Sequence, residues 1–260
     1  MKVAILAGGY GTRFIEETRM KPKPMITIGG QPILWHIMMH YSRYDFKEFV
    51  IALGYKGEYI KQWVRDHHIL DRNITVKTGT GEVSFREGSQ QDWVDWVVHL
   101  VDTGERTQTG GRIKRLSPWL NGQTFMLTWS DGLSDVDLGA LLEFHRSHGR
   151  LATITAVQPS SHFGHLTLNG SRVVQFNEKP QLTDTWINGA FFVLEPGVFD
   201  YIDGDGTLWE KEPLENLAQD GELMAYCHTG FWQCMDTLHD KMFLEGLWKN
   251  GKAPWKTWDE

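Results

Sequence analysis

Residues 3–14 read VAILAGGYGTRF, and this stretch decides the fold class. The apolar run 3–7 is typical of a buried strand in a parallel sheet, because such strands are covered on both faces and lack a polar–apolar alternation. Gly8, Gly9 and Gly11 then let the chain turn tightly and direct backbone N–H groups towards an anion. The stretch therefore predicts a first β-strand followed by an anion-binding loop.

Strand-like and helical segments alternate along the rest of the first half. The strand-like runs lie at 49–53, 97–101 and 125–128, and the helical segments lie at 32–44, 58–66 and 138–148. This alternation predicts an α/β fold with a doubly wound, mainly parallel, Rossmann-like sheet. The Ser134-x-x-Asp137 pattern predicts a capping box before the third helix.

After Gly149 short strand-like runs replace this alternation. They lie at 152–157, 166–168, 173–176 and 187–194. We expect them to form a mixed or antiparallel extension of the sheet within a single domain that covers residues 1–260. A last helix is predicted to begin at the Thr237-x-x-Asp240 capping box. Residues 79–96 have no periodicity and are expected to form a mobile flap or an oligomer contact.

Composition excludes several classes of protein. The chain has 260 residues, of which 41% are hydrophobic and 23% charged, as in ordinary globular domains. A net charge of −7 argues against a nucleic-acid or anionic-membrane partner. Two cysteines are too few for a disulfide-dense secreted domain. Their spacing to nearby histidines matches no common structural zinc site. With neither a secretion signal nor an apolar stretch of about 20 residues, we expect a cytoplasmic protein.

Cations follow the glycine loop. Arg13 carries a planar fork of donors that matches phosphate, and residues 21–24 (KPKP) hold two lysines in a stiff segment. This combination predicts a cradle for a polyphosphate. From the residues alone, a glycine turn without a ligand remains the alternative.

Two other glycine-loop classes do not match. A dinucleotide-binding loop needs a third glycine, where Phe14 stands, and an acidic residue about 20 positions later, which this sequence lacks. A Walker A outline at 246–253 has Ala253 in place of the Ser or Thr that binds Mg²⁺.

The stretches LAGGYGTR (6–13) and KPKPM (21–25) resemble the signature of the sugar-1-phosphate nucleotidyltransferases. Further stretches resemble the branch of this family that comprises the glucose-1-phosphate cytidylyltransferases. These are IGGQPILWHIM (28–38), GYKGEYIK (54–61), VDTGERTQTGGRIKR (101–115), INGAFFVL (187–194) and GLWKNGKAPWKTW (246–258). They extend along the whole chain, so the resemblance does not depend on one motif.

The resemblance implies a reaction and its partners. CTP and α-D-glucose 1-phosphate would give CDP-glucose and pyrophosphate, with Mg²⁺ as cofactor and in-line attack of the sugar phosphate on the α-phosphorus. Residues 1–148 would bind the nucleotide, residues 149–260 would bind the sugar phosphate, and the chain would form a homo-oligomer. The product would lead towards dideoxyhexoses of cell-surface polysaccharide. Use of UTP or dTTP, and a catalytically silent subunit that senses sugar nucleotides, are the alternatives.

The resemblance also implies the roles of individual residues. The catalytic residues would be Arg13 and Lys23, and the metal ligands would be Asp131 and Asp236. The nucleotide-binding residues would be Leu6, Ala7, Gly8, Gly9, Gly11, Thr12, Arg13, Thr107, Gly111, Arg112 and Ser130. The sugar-phosphate-binding residues would be Lys23, Glu178, Lys179, Asn188 and Gly189. Thr107 and Arg112 are expected to contact the acceptor edge of cytosine.

The two aspartates also have readings that do not depend on the resemblance. Asp131 follows a predicted strand, at the edge where an open α/β sheet binds its ligand. Asp236 could instead be the N-cap of the last helix, although Thr237 could take that role. Two departures from the branch lie nearby: Ser130 stands where a glycine is commoner, and Cys234 stands where a proline is expected.

Overall fold

The computed structural model describes residues 1–67, 73–86, 95–120, 122–159, 164–177 and 185–258. The strands are β1 (Lys2–Leu6), β2 (Thr27–Ile28), β3 (Gln31–Pro32), β4 (Glu48–Leu53), β5 (Asn73–Lys77), β6 (Glu82–Arg86), β7 (Val97–Asp102), β8 (Phe125–Trp129), β9 (Gly132–Ser134), β10 (Ala152–Val157), β11 (His165–Asn169), β12 (Arg172–Asn177), β13 (Ile187–Leu194), β14 (Leu223–His228) and β15 (Trp232–Cys234). The α-helices are α1 (Ile15–Thr18), α2 (Ile33–Ser42), α3 (Gly57–Asp66), α4 (Thr109–Leu120), α5 (Leu138–His148), α6 (Glu212–Gln219) and α7 (Leu238–Lys249). Short 3-10 helices lie at Thr12–Phe14, Lys23–Met25 and Pro196–Tyr201.

A seven-stranded sheet organises the chain, in the order β14-β10-β13-β8-β1-β4-β7. β1 pairs in parallel with β4 and β8, β4 pairs in parallel with β7, and β10 pairs in parallel with β14. β13 is antiparallel to both of its neighbours, β8 and β10. The predicted α/β class and mainly parallel sheet are therefore confirmed. Of the strands after Gly149, β10, β13 and β14 continue the same sheet, whereas β11 and β12, which cover the predicted runs 166–168 and 173–176, form a separate antiparallel pair, and β15 pairs with β9.

Both faces of the sheet are buried, as the apolar run of β1 predicts. Val3 and Ile5 belong to one core cluster, which α2 and α5 cover together with the C-terminal segment. Ala4 and Leu6 belong to a second cluster on the opposite face, which α4 and α6 cover. Because successive strand residues point to opposite faces, one short run supplies both cores. A strand buried in this way holds the glycine loop that follows it in a fixed place.

The two predicted capping boxes have different outcomes. The box at Thr237 is confirmed, since its side chain and that of Asp240 each accept from the other's backbone N–H. The box at Ser134 is wrong, because Ser134 belongs to β9 and pairs with Trp232 of β15. The N-cap of α5 is Asp137, whose carboxylate accepts a 2.9 Å hydrogen bond from the Ala140 amide.

Part of the chain without periodicity forms a hairpin. β6 lies within residues 79–96 and pairs antiparallel with β5, whereas residues 87–94 lie outside the described part. Within the described residues, no helix is both long enough and apolar enough to cross a lipid bilayer.

Candidate active site

A cleft of about 340 Å³ opens at the carboxyl ends of β1, β7 and β8. Its walls are the glycine loop after β1, residues 105–109 after β7, and residues 129–131 at the end of β8. These strands run in the same direction, so their following loops meet at one edge of the sheet, which is where open α/β sheets bind ligands.

This cleft gathers most of the predicted site residues from positions far apart in the sequence. The predicted residues that line it are Leu6, Ala7, Gly8, Gly9, Gly11, Thr12, Lys23, Thr107, Arg112, Ser130, Asp131 and Asp236. Arg13 lies in the 3-10 helix Thr12–Phe14, and its side chain is outside what the structure describes. Glu178 and Lys179 lie outside the described residues.

Three predicted residues have contacts elsewhere. Gly111 packs so closely on the neighbouring Asp205 segment that a Cβ there would lie 2.6 Å from the Asp205 Cα. The Asn188 side chain accepts a 2.8 Å hydrogen bond from the Ala190 amide, and the Gly189 carbonyl accepts one of 2.8 Å from the Trp232 indole. A Cβ at Gly189 would lie 2.7 Å from Val157 Cγ1, so close packing accounts for both glycines. The predicted ligand contacts of all three residues stay predictions.

Lys23 joins the two predicted metal ligands. Its Nζ donates to Asp131 Oδ2 at 2.6 Å and to Asp236 Oδ1 at 2.5 Å. The Lys23 side chain is 12% exposed, and those of Asp131 and Asp236 are 24% and 29% exposed. Two carboxylates thus converge on one position, which holds a positive charge at the mouth of the cleft.

Strand pairing brings the two aspartates together. Asp131 directly precedes β9, and Asp236 follows β15 by two residues. β9 and β15 pair antiparallel, with Cys234 opposite Gly132, and the Met235 amide donates to the Asp131 carbonyl at 2.9 Å. Main-chain hydrogen bonds therefore hold the backbone at Asp131 and the backbone at Asp236 at a fixed distance from each other.

The capping box of α7 orients Asp236 further. The Asp240 carboxylate accepts from the backbone amides of Asp236 and Thr237 at 3.0 and 2.8 Å. Thr237 is the N-cap residue, so the alternative reading of Asp236 as the N-cap is wrong. Asp236 is consequently free of the capping role and points to Lys23.

Two titratable groups lie beside these carboxylates, the Lys23 ammonium and the Cys234 thiol, and the pKa of each is raised. Burial disfavours the Lys23 ammonium, but the charge of Asp131 and the hydrogen bonds to both carboxylates outweigh burial and raise the pKa of Lys23. Burial, together with the negative charge of Asp131, raises the pKa of the Cys234 thiol. Lys23 is therefore a permanent cation at neutral pH, and the free thiol is protonated.

Arg112 lies behind the glycine loop, and its side chain is buried. Nη1 donates to the Leu53 carbonyl at 3.0 Å and to Thr103 Oγ1 at 2.7 Å, and Nη2 donates to the Gly8 carbonyl at 2.9 Å. A Cβ at Gly8 would lie 2.2 Å from Nη1. This close approach is what requires glycine at position 8, and Arg112 ties the loop to the ends of β4 and β7.

Replacing Arg112 with lysine is expected to lower the free energy of unfolding by about 2 kcal/mol or more. A single ammonium cannot reach every carbonyl and hydroxyl that the guanidinium satisfies, and unpaired buried acceptors are costly. Urea denaturation followed by circular dichroism measures the change.

Arg115→Lys is the matched control for this prediction. Arg115 lies one turn further along α4, and its main ion pair, with Asp205, is exposed. We expect that variant to stay within about 1 kcal/mol of the parent protein. Equal losses in the two variants would contradict a loop-holding role for Arg112.

Sequence reasoning missed several residues of the site. It assigned Cys234 no role, although its sulfur and the carboxylate oxygens of Asp131 and Asp236 all lie within 4.8 Å of one another. It recognised the capping box but not that Asp240 orients Asp236. Glu105 and Gln108 also line the cleft, and no motif pointed to them.

Comparisons with known proteins agree with this architecture. Residues 2–240 match the family model described as nucleotidyl transferase. The glucose-1-phosphate cytidylyltransferase of Salmonella typhimurium is 49% identical over 260 residues, which is 100% of both chains. A Bacillus subtilis protein named as a probable glucose-1-phosphate cytidylyltransferase is 43% identical over 259 residues, 99% of this chain and 100% of its own.

A solved structure shares the fold at low sequence identity. An apo UDP-glucose pyrophosphorylase superposes with a TM-score of 0.68 at 14% identity, and the match covers 96% of this chain and 98% of the other. The family model covers nearly the whole chain, and the Salmonella relative matches it from end to end. The chain therefore belongs to the nucleotidyl transferase family.

Proposed function

We propose that this protein transfers CMP from CTP to α-D-glucose 1-phosphate, giving CDP-glucose and pyrophosphate. The observation that carries the proposal is the meeting of Lys23, Asp131 and Asp236 at a cleft that the glycine loop borders. A triphosphate needs backbone donors and cations, and a metal that bridges its oxygens needs carboxylates. This edge of the sheet offers all of these groups together.

The residues present fit a divalent cation. Asp131 and Asp236 direct carboxylate oxygens at one position, where the structure already accommodates the Lys23 ammonium. Carboxylate oxygens are the ligands that Mg²⁺ prefers in proteins, and nucleotidyl transferases generally use a divalent metal. When bound, Mg²⁺ would neutralise charge on the triphosphate oxygens. Asp131 and Asp236 would hold it.

The chain's own groups would orient the reactants and stabilise the transition state. Amides of the glycine loop and Arg13 would bind the β- and γ-phosphates and stabilise the departing pyrophosphate. Lys23 would contact the α-phosphate and the attacking phosphate oxygen. The sugar phosphate is already anionic at neutral pH, so its attack on the α-phosphorus needs no general base.

The remaining contacts would come from both halves of the chain. Thr107 and Ser130 would contact the nucleotide, and their position in the lining of the cleft supports this role. Glu178, Lys179, Asn188 and Gly189 would bind the sugar phosphate. Arg112 would act on the base side mainly by holding the loop, because its guanidinium donates four hydrogen bonds to the protein's own oxygens.

CTP is proposed as the nucleotide because of the full-length relatives. The Salmonella typhimurium and Bacillus subtilis proteins both carry a cytidylyltransferase name. UTP differs from CTP at the base, and dTTP differs at the base and at the 2′ position of the sugar. The phosphate-binding groups would contact neither, so UTP and dTTP remain the alternatives. The assembly of several copies, the division into two halves near residue 149 and the use of the product for dideoxyhexoses stay predictions.

Pyrophosphate release is expected with CTP and not with UTP, dTTP, GTP or ATP, in the presence of glucose 1-phosphate and Mg²⁺. Each nucleotide is tested separately with a coupled pyrophosphate assay, and omission of the sugar phosphate is the control. Release with another nucleotide alone would keep the reaction type and reject CTP. Nucleotide binding without release in every reaction would favour the silent sensor.

A further inference from the structure

The thiol of Cys234 lies against the two carboxylates at the mouth of the cleft. The Cys234 sulfur and one carboxylate oxygen each from Asp131 and Asp236 are all within 4.8 Å of one another. With zinc bonds of about 2.3 Å to sulfur and about 2.0–2.2 Å to oxygen, tetrahedral ligands lie roughly 3.5 Å apart, so small side-chain movements would bring these three atoms onto one ion. The Cys234 sulfur therefore adds a third potential metal ligand to the two carboxylate oxygens.

The fold holds this third donor in place by the same strand pairing that joins the aspartates. Cys234 is the last residue of β15 and lies opposite Gly132, the residue after Asp131. Met235 is fully buried, so the alternation along an extended chain directs Cys234 and Asp236 to the side opposite Met235, and of these two residues Asp236 lines the cleft. Cys234 is half-buried, and the charged groups of Lys23, Asp131 and Asp236 act on its thiol.

We propose that Cys234 turns the carboxylate pair into a binding site for a soft divalent cation of the Zn²⁺ and Cd²⁺ class. The inference rests on the proposed function, because the soft ion would occupy the position that function gives to Mg²⁺. Thiolate sulfur selects zinc-like ions, whereas Mg²⁺ requires oxygen ligands and gains nothing from the sulfur. Cys234 therefore shifts the preference of this site away from Mg²⁺.

Binding of the soft ion changes the charges at the site in a defined way. As the metal–sulfur bond forms, the thiol proton passes to solvent, since a coordinating thiol is deprotonated. The ion would bind the same two carboxylates that now accept hydrogen bonds from Lys23, so the ammonium would have to move aside. Three protein ligands leave the fourth tetrahedral position of zinc to water or a phosphate oxygen. Zn²⁺ should consequently inhibit Mg²⁺-dependent turnover.

Cadmium titration tests the sulfur ligand directly, because a cadmium–thiolate bond has a charge-transfer band in the ultraviolet. The full chain, Cys227→Ser and Cys234→Ser are titrated with Cd²⁺ in the absence of nucleotide. Cys227, the other of the two cysteines in the sequence, is the matched control, since it is exposed on β14, away from the carboxylate pair. The band should saturate at one Cd²⁺ per chain in the parent protein and in Cys227→Ser, and should be absent in Cys234→Ser.

Competition tests whether the sulfur shares its site with the carboxylates. Added Mg²⁺ should raise the Cd²⁺ concentration needed for saturation, and Asp236→Asn should weaken Cd²⁺ binding by at least about tenfold. Zn²⁺ should inhibit the parent enzyme at a concentration at least about tenfold lower than Cys234→Ser. Circular dichroism confirms that each variant is folded.

Two results would overturn the inference. One is the absence of the band in the parent protein, and the other is a band that survives in Cys234→Ser or does not respond to Mg²⁺. If CTP-dependent pyrophosphate release is normal in those experiments, the proposed function stands and only the soft-metal site is rejected. A normal cadmium band without pyrophosphate release from any nucleotide would support the metal site and reject the proposed function.

Discussion

Asp131→Asn is expected to lower kcat at least about 100-fold while leaving the fold intact. The substitution keeps the shape of the side chain but removes one of the two negative charges that converge on the cation position. A neutral amide binds a divalent cation weakly, so charge on the triphosphate would be poorly neutralised. Pyrophosphate release at saturating CTP and glucose 1-phosphate measures the change.

Asp137→Asn is the matched control for this prediction. Asp137 is exposed and caps α5, and asparagine is as good an N-cap as aspartate. It lies six residues further along the chain, so both variants remove a carboxylate from the same segment, but only Asp131 lines the cleft. Raising the Mg²⁺ concentration should restore part of the activity of Asp131→Asn. Near-normal turnover in that variant would reject Asp131 as a metal ligand.

The parts of the fold that the sequence predicted correctly are those with a strong local signal. The apolar run of β1 and the Thr237 box each determine their structure within a few residues. α4 was not predicted, because Gly110, Gly111 and Pro118 weaken its helical pattern, and it forms where it can pack on β1 and β4. Ser134 was assigned to a cap because its pairing partner, Trp232, lies about 100 residues away and leaves no local mark.

The site shows the same division between local and long-range information. The glycine loop could be predicted because adjacent residues determine both its backbone conformation and its charge. The partnership of Lys23, Asp131 and Asp236 depends on a strand pairing between β9 and β15, which only the folded chain creates. The predicted contact of Arg112 with the base stays a prediction. The sequence did not indicate that the buried carbonyl groups of Gly8 and Leu53 accept hydrogen bonds from its guanidinium.

Lys23→Met is expected to lower kcat at least about 100-fold and, at the same time, to strengthen the binding of a divalent cation to the nucleotide-free protein. On the proposed function, Lys23 would have two tasks that cannot be carried out at the same time. Without substrates its ammonium neutralises Asp131 and Asp236, and during the reaction it would contact the α-phosphate. A metal that binds first has to displace the ammonium, whereas in the methionine variant the carboxylates have no competing cation.

Binding of Mn²⁺, followed by electron paramagnetic resonance, separates these two effects from a general loss of structure. If the substitution only destabilised the site, both Mn²⁺ affinity and turnover would fall. If Lys23 is displaced from the two carboxylates when the metal binds, Mn²⁺ affinity should rise while turnover falls. Lys21→Met is the matched control, because it removes a cation two residues away, and among the described residues Lys21 does not line the cleft. That variant should keep most of its turnover and an unchanged Mn²⁺ affinity. If Lys23→Met bound Mn²⁺ no more tightly than the parent protein, Lys23 would not be the counter-ion that the metal replaces.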